Sequence, residues 1–116
     1  MTLEQFIQQN QNGRVSFEQT MQVISENYDY HPTRFSNGLD NDRIINEAST
    51  NEGSCKIFAF AQIHNLDSQQ TLNLFGDFYR QDVLNDPEGK GHQNIRNFMQ
   101  YGWPGISFDG TTLILK

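Results

Sequence analysis

A single cysteine, Cys55, stands in the 116 residues. That scarcity excludes an intramolecular disulfide and any multi-cysteine zinc site. Cations are scarce as well. Eight Lys and Arg face fourteen Asp and Glu, for a net charge of −6 and a pI near 4.8. No basic cluster is present to neutralise phosphates, so neither nucleic acid nor an anionic membrane is an expected partner. No apolar run reaches the roughly 18 residues of a membrane span. Residues 1–7, MTLEQFI, have neither the basic start nor the long apolar stretch of a signal peptide. A reducing cytosol is the expected compartment.

What the chain does have is phenylalanine. The hydrophobic fraction is a lean 35%, but it includes nine Phe, each of which buries a large area. One compact core, and one domain over residues 1–116, is the expectation. Asn and Gln together make 24 residues, scattered rather than in tracts. They read as a neutral polar surface with few ion pairs.

Thr2-x-x-Gln5 and Ser16-x-x-Gln19 are capping-box patterns, each followed by apolar residues at helical spacing. They predict helices over 3–11 and 17–27. Alternation begins at Tyr28, and Pro32 forbids helix, so 28–36 reads as strand or extended chain. Ile44-Ile45 suits a short strand, and 48–54 a polar loop. A nearly all-apolar stretch then predicts a central helix over about 55–64. Asp67-x-x-Gln70 caps a further helix that keeps its spacing to Val83, with Gly76 as a point of kinking or splitting. A last helix is expected over 93–101, closed by Gly102. Asp109-Gly110 between strand-like runs predicts a C-terminal β-hairpin over 106–115, expected to pair with the 28–36 segment or to pack on the central helix. The fold class is α+β: about five helices around the central one, with a small antiparallel sheet.

Several runs carry a family likeness. They are residues 1–7, the stretch Gly53-Ser54-Cys55-Lys56-Ile57-Phe58-Ala59-Phe60-Ala61, then Gly76-Asp77-Phe78-Tyr79-Arg80, residues 92–99, and Gly102-Trp103 with Gly105-Ile106-x-Phe108-Asp109-Gly110. Together they resemble the HopJ type III effector family over nearly the whole chain. The resemblance implies a small bacterial protein, at home in the cytoplasm or exported into a host through a type III system. It implies no chemistry.

Candidate chemistry centres on Cys55. A thiol at the start of a helix is placed for a lowered pKa, and a nucleophile also needs a base in reach. His64 lies nine residues along the same helix, about 900° around and roughly 13 Å away, on the opposite side. His92, at the start of the last helix, is the remaining base, with Asp109 or Asn94 to orient it. This set, Cys55, His92 and Asp109, would serve a small thiol hydrolase or acyltransferase. The run Gly53-Ser54-Cys55 is similar to the cysteine run of papain-type proteases. However, Glu52 and Lys56 break the pattern, and only 61 residues follow the thiol. The competing reading makes Cys55 a small core residue.

No complete catalytic constellation is present, so a non-enzymatic binding or regulatory module takes precedence. Its groove is expected between the loop before Cys55 and the start of the His92 helix. Ser54, Asn94, Arg96 and Trp103 are the candidate binding residues, with His92 and Arg96 flanking an anionic or amide ligand. The partner is an unspecified protein or small molecule. Asp40-Asn41-Asp42 fails the calcium-loop pattern, because Ile45 and Asn51 occupy its Gly and Glu positions. No metal and no cofactor are expected.

Overall fold

The computed structural model describes residues 2–13 and 15–116. Met1, which opens the first of the runs quoted above, lies outside them. Among the described residues the α-helices are α1 (Leu3–Gln11), α2 (Phe17–Asn27), α3 (Glu52–Ile63), α4 (Ser68–Asn73) and α5 (Gln93–Tyr101). The strands are β1 (Tyr28–Tyr30), β2 (Phe35–Asn37), β3 (Ile44–Asn46), β4 (Ser107–Phe108) and β5 (Leu113–Leu115). The fold is α+β, with small antiparallel sheets.

Local chemistry explains most boundaries. Thr2, Ser16 and Asp67 each accept from the N–H three residues on, and Gln5, Gln19 and Gln70 return the bond, so α1, α2 and α4 all open on complete capping boxes. The helix predicted through 83 is split at Gly76. That residue sits at φ +61°, and a Cβ there would lie 2.6 Å from the Phe17 backbone nitrogen. The chain turns there and resumes as one π-helical segment, Phe78–Val83.

Helix α3 is the centre of the molecule. Cys55, Ile57, Phe58, Ala59, Phe60 and Ala61 are all buried along it. The Phe58 ring meets Phe98 at 4.9 Å, Phe75 at 5.6 Å and Phe35 at 6.0 Å, so one side chain gathers α5, the Gly76 turn and β2. The helix starts at Glu52, three residues before the predicted start, and the loop over 48–54 is correspondingly shorter. No Ser, Thr or Asp signals this start. Asn51 instead takes a left-handed conformation, and its carbonyl accepts the first helical bond from the Cys55 N–H at 3.0 Å.

The predicted C-terminal hairpin is corrected. Both strands form, but they do not pair with each other. β5 pairs with β1 and β4 with β2, while β3 covers the other edge of β2. Tyr28 lies opposite Leu115 and Phe35 opposite Phe108: seven residues forward on one segment, seven back on the other. The C-terminal segment therefore runs beside 28–37 in one antiparallel register. Pro32, which has no N–H to give, interrupts that ladder in its middle.

Candidate functional site

Two helices break the capping rule that α1, α2 and α4 obey. The residue before α3, Asn51, sits at φ 49°, ψ 48°, and the residue before α5, His92, at φ 55°, ψ 51°. Neither side chain caps its helix. Among the described residues, the first-turn N–H groups of Glu52, Gly53 and Ser54, and those of Gln93 and Asn94, find no protein acceptor. Left-handed geometry in a residue other than Gly costs about 1–2 kcal/mol. The two helix starts thus carry strain and leave donors free.

Both helix starts line the same cleft, of about 420 Å³. Asn51, Gly53 and Ser54 form one side, and residues 92–95 the other. Phe17, Phe75, Phe78, Ile44 and Ile95 supply its apolar wall. The wall is ordered by aromatic contacts: Phe17 meets Phe78 edge-on at 5.0 Å, and Phe78 meets the His92 ring at 5.1 Å. Gly53 makes room for the Phe17 ring, since a Cβ there would approach Phe17 Cζ to 2.8 Å. The cleft is thus lined by two helix starts, each the positive end of a helix dipole, with an apolar surface beside them.

Beneath it lies a buried asparagine network. Asn37 Nδ2 donates to the Asn94 carbonyl (2.8 Å) and to Asn94 Oδ1 (3.1 Å), and Asn97 Nδ2 donates to the Asn37 carbonyl (3.1 Å). Asn46 and Asn94 exchange side-chain bonds at 3.1 and 2.9 Å. Asn37, Asn46, Asn94 and Asn97 are all buried. Three of these, Asn37, Asn46 and Asn97, were missed as site residues in the sequence, where scattered Asn reads as surface. The partial signal was strand alternation, which places Asn46 on the inward face of β3.

The candidate residues separate into two groups. Ser54, His92 and Asn94 come together at the cleft. The others do not join them. Cys55 is 1% exposed and does not line the cleft; its thiol donates to the Thr33 carbonyl at 3.5 Å. Burial pushes that thiol up from its ordinary value. His92 Nε2 is 3.1 Å from Asp82 Oδ2, a carboxylate the sequence did not single out. Asp109 pairs with Arg34 at 3.1 Å. The expected orientation of His92 by Asp109 is therefore corrected, and each member of the Cys55, His92 and Asp109 set has its own separate partner. His64 bonds to Tyr28 Oη at 2.7 Å.

Arg96 does not line the cleft with His92. It donates to the carbonyls of Gly91 (2.6 Å) and Asp86 (2.7 Å), and so holds the loop that leads into His92. Trp103 lies against Phe98 and Phe58 and donates from Nε1 to the Leu66 carbonyl at 2.9 Å, a clamp on the bend after α5. Among the described residues no group of three or more His, Cys, Asp or Glu is arranged to hold a metal ion, and no helix is long and apolar enough to cross a membrane.

Comparison with known proteins bears on the whole chain. A family model described as HopJ type III effector protein matches residues 3–113. No curated protein sequence matches significantly. A crystal structure described as that of an unknown-function protein, VPA0580, superposes with a TM-score of 0.93 at 49% identity, covering 100% of this chain and 95% of the other.

Proposed function

We propose that this chain, which belongs to the HopJ type III effector protein family, is a binding module rather than an enzyme, and that its ligand sits in the cleft between the starts of α3 and α5. The single observation that carries this reading is the pair of uncapped helix starts on one cleft. Three other helices in the same chain are closed by a side-chain capping box, and α3 and α5, which lack one, both start at this cleft. The preferred ligand bears an oxygen acceptor, a carboxylate above all, next to an apolar or aromatic portion. The N–H groups take the oxygen, and Phe17 and Phe78 take the rest. A small molecule and an exposed peptide carboxylate both present that chemistry. The net charge of −6 opposes multiply charged anions at long range, which favours a single carboxylate.

Place of action belongs to the same proposal. A bacterial cytoplasmic role fits the single free, buried thiol, and the family description adds action in a host cell after type III export. The alternative, a thiol hydrolase built on Cys55 and His92, needs a thiolate with a base in reach. The burial of Cys55, its bond to the Thr33 carbonyl and its absence from the cleft that His92 lines weigh against it.

Titration of ¹⁵N-labelled protein with benzoate tests the binding reading. Saturable shifts at the amides of Gly53, Ser54 and Asn94, with benzamide weaker than benzoate, are the expected result. Amides at these positions that do not move would overturn it.

A further inference from the structure

One buried oxygen touches both sides of the cleft. Asn46 Oδ1 accepts from Asn51 Nδ2 at 2.7 Å and from Asn94 Nδ2 at 2.9 Å. Asn51 precedes α3, Asn94 lies in the first turn of α5, and Asn46 itself is 1% exposed at the end of β3. We infer that Asn46 is a positioning residue that sets the width of the cleft, so that the free N–H groups of α3 and α5 act on one ligand together rather than on two separately. This inference rests on the binding reading above.

The physical argument is one of cost and geometry. A buried amide is stabilising only when its donors and acceptors are met, and an apolar side chain of similar size would fill the site with less risk. Asn46 meets its demands with groups from two different helices. Its Nδ2 also donates to Asn94 Oδ1 at 3.1 Å, which makes the link to α5 double and fixes the Asn94 side chain in orientation. The link to Asn51 is single, and it holds a residue already in a strained left-handed conformation. Loss of that link frees the start of α3 while the core face of the helix stays packed.

Asn51→Gly is the sharp variant. Glycine adopts the left-handed conformation without strain, so the backbone is kept and only the tether is lost. Asn46→Ala removes both tethers, with a greater risk to folding. In the wild type, benzoate is expected to shift Gly53 and Asn94 with one common midpoint. In Asn51→Gly the two midpoints are expected to separate, with that of Gly53 about fivefold to tenfold weaker. A merely structural role would lower thermal stability and leave a common midpoint, and that outcome overturns the inference. A ligand-free readout separates its failure from failure of the binding reading. If Asn46 couples the two helices, Asn51→Gly shifts the side-chain amide signals of Asn94, on the other helix. An Asn94 signal that stays in place overturns the tether even where benzoate binds. A shifted Asn94 signal with no benzoate response upholds the tether and removes only the ligand.

Discussion

Arg34 and Asp109 meet twice. The Asp109 N–H donates to the Arg34 carbonyl at 3.0 Å, and the Arg34 guanidinium donates to the Asp109 carboxylate at 3.1 Å. The backbone bond belongs to the register that aligns 28–37 with the C-terminal segment, so Asp109-Gly110 is the middle of a ladder and not the tip of a hairpin. The guanidinium also reaches Glu47 at 3.3 Å. These charges are exposed and screened by water, so Asp109→Ala is expected to leave the urea midpoint nearly unchanged. A large fall in that midpoint would mean that the pair is worth more than its exposure allows.

The distinction between what was legible and what was not follows from range. Thr2, Ser16 and Asp67 announce helices because a capping box is complete within four residues. Phe58 and Phe60 announce burial because the whole stretch around them is apolar. The starts at Asn51 and His92 carry no such local mark. A left-handed residue before a helix is held by tertiary contacts, and here those include Asn46 for Asn51 and Asp82 for His92. The expected pairing of the C-terminal segment with 28–36 is found, but the hairpin itself is not, for the same reason. Asp-Gly is a strong turn signal only when no longer partner is available, and 28–37 was available.

Burial of Cys55 gives a second prediction. In the folded protein the thiol is nearly closed off and its pKa is raised. Iodoacetamide should modify it slowly at neutral pH, and the rate should rise sharply in urea as the chain unfolds. Cys55→Ala leaves a small cavity and loses the bond to Thr33, at a cost of about 1–2 kcal/mol in urea unfolding. Rapid alkylation of the folded protein, with a midpoint well below that of a free thiol near 8.5, would reinstate the nucleophile.

His64 supplies a pH dependence. Burial lowers its pKa, and its ring bonds to the Tyr28 hydroxyl at 2.7 Å beside the Phe60 ring. The folded state therefore prefers the neutral ring. Above the unfolded value, near 6.5, both states are neutral and no penalty arises. Below it the unfolded chain takes up the proton first, so stability falls as pH drops through that range and levels off once the folded ring is protonated. Urea midpoints measured from pH 8 to 5 should show this fall in the wild type and a smaller one in His64→Gln. An equal fall in both would assign the effect to other groups.

Two glycines that touch the same phenylalanine should respond differently to alanine. At Gly53 a Cβ would press on the tip of the Phe17 ring, 2.8 Å from Cζ, and a ring can tilt. Alanine also gains helix propensity there, worth about 1 kcal/mol. Gly53→Ala should therefore cost no more than about 1–2 kcal/mol, the usual range for mild overpacking. The displaced ring has the cleft to move into, so benzoate binding should weaken more than stability does. At Gly76 the obstacle is backbone: the Cβ would lie 2.6 Å from the Phe17 nitrogen and 3.1 Å from the Ser16 carbonyl carbon, and φ is +61°. Neither the chain at Ser16 nor the turn itself can yield without undoing the capped start of α2. Gly76→Ala should cost about 3 kcal/mol or more, from left-handed strain and overpacking together. Thermal unfolding of the two variants side by side checks the order, and a Gly76→Ala protein as stable as Gly53→Ala would show that the contact between the turn and α2 is loose.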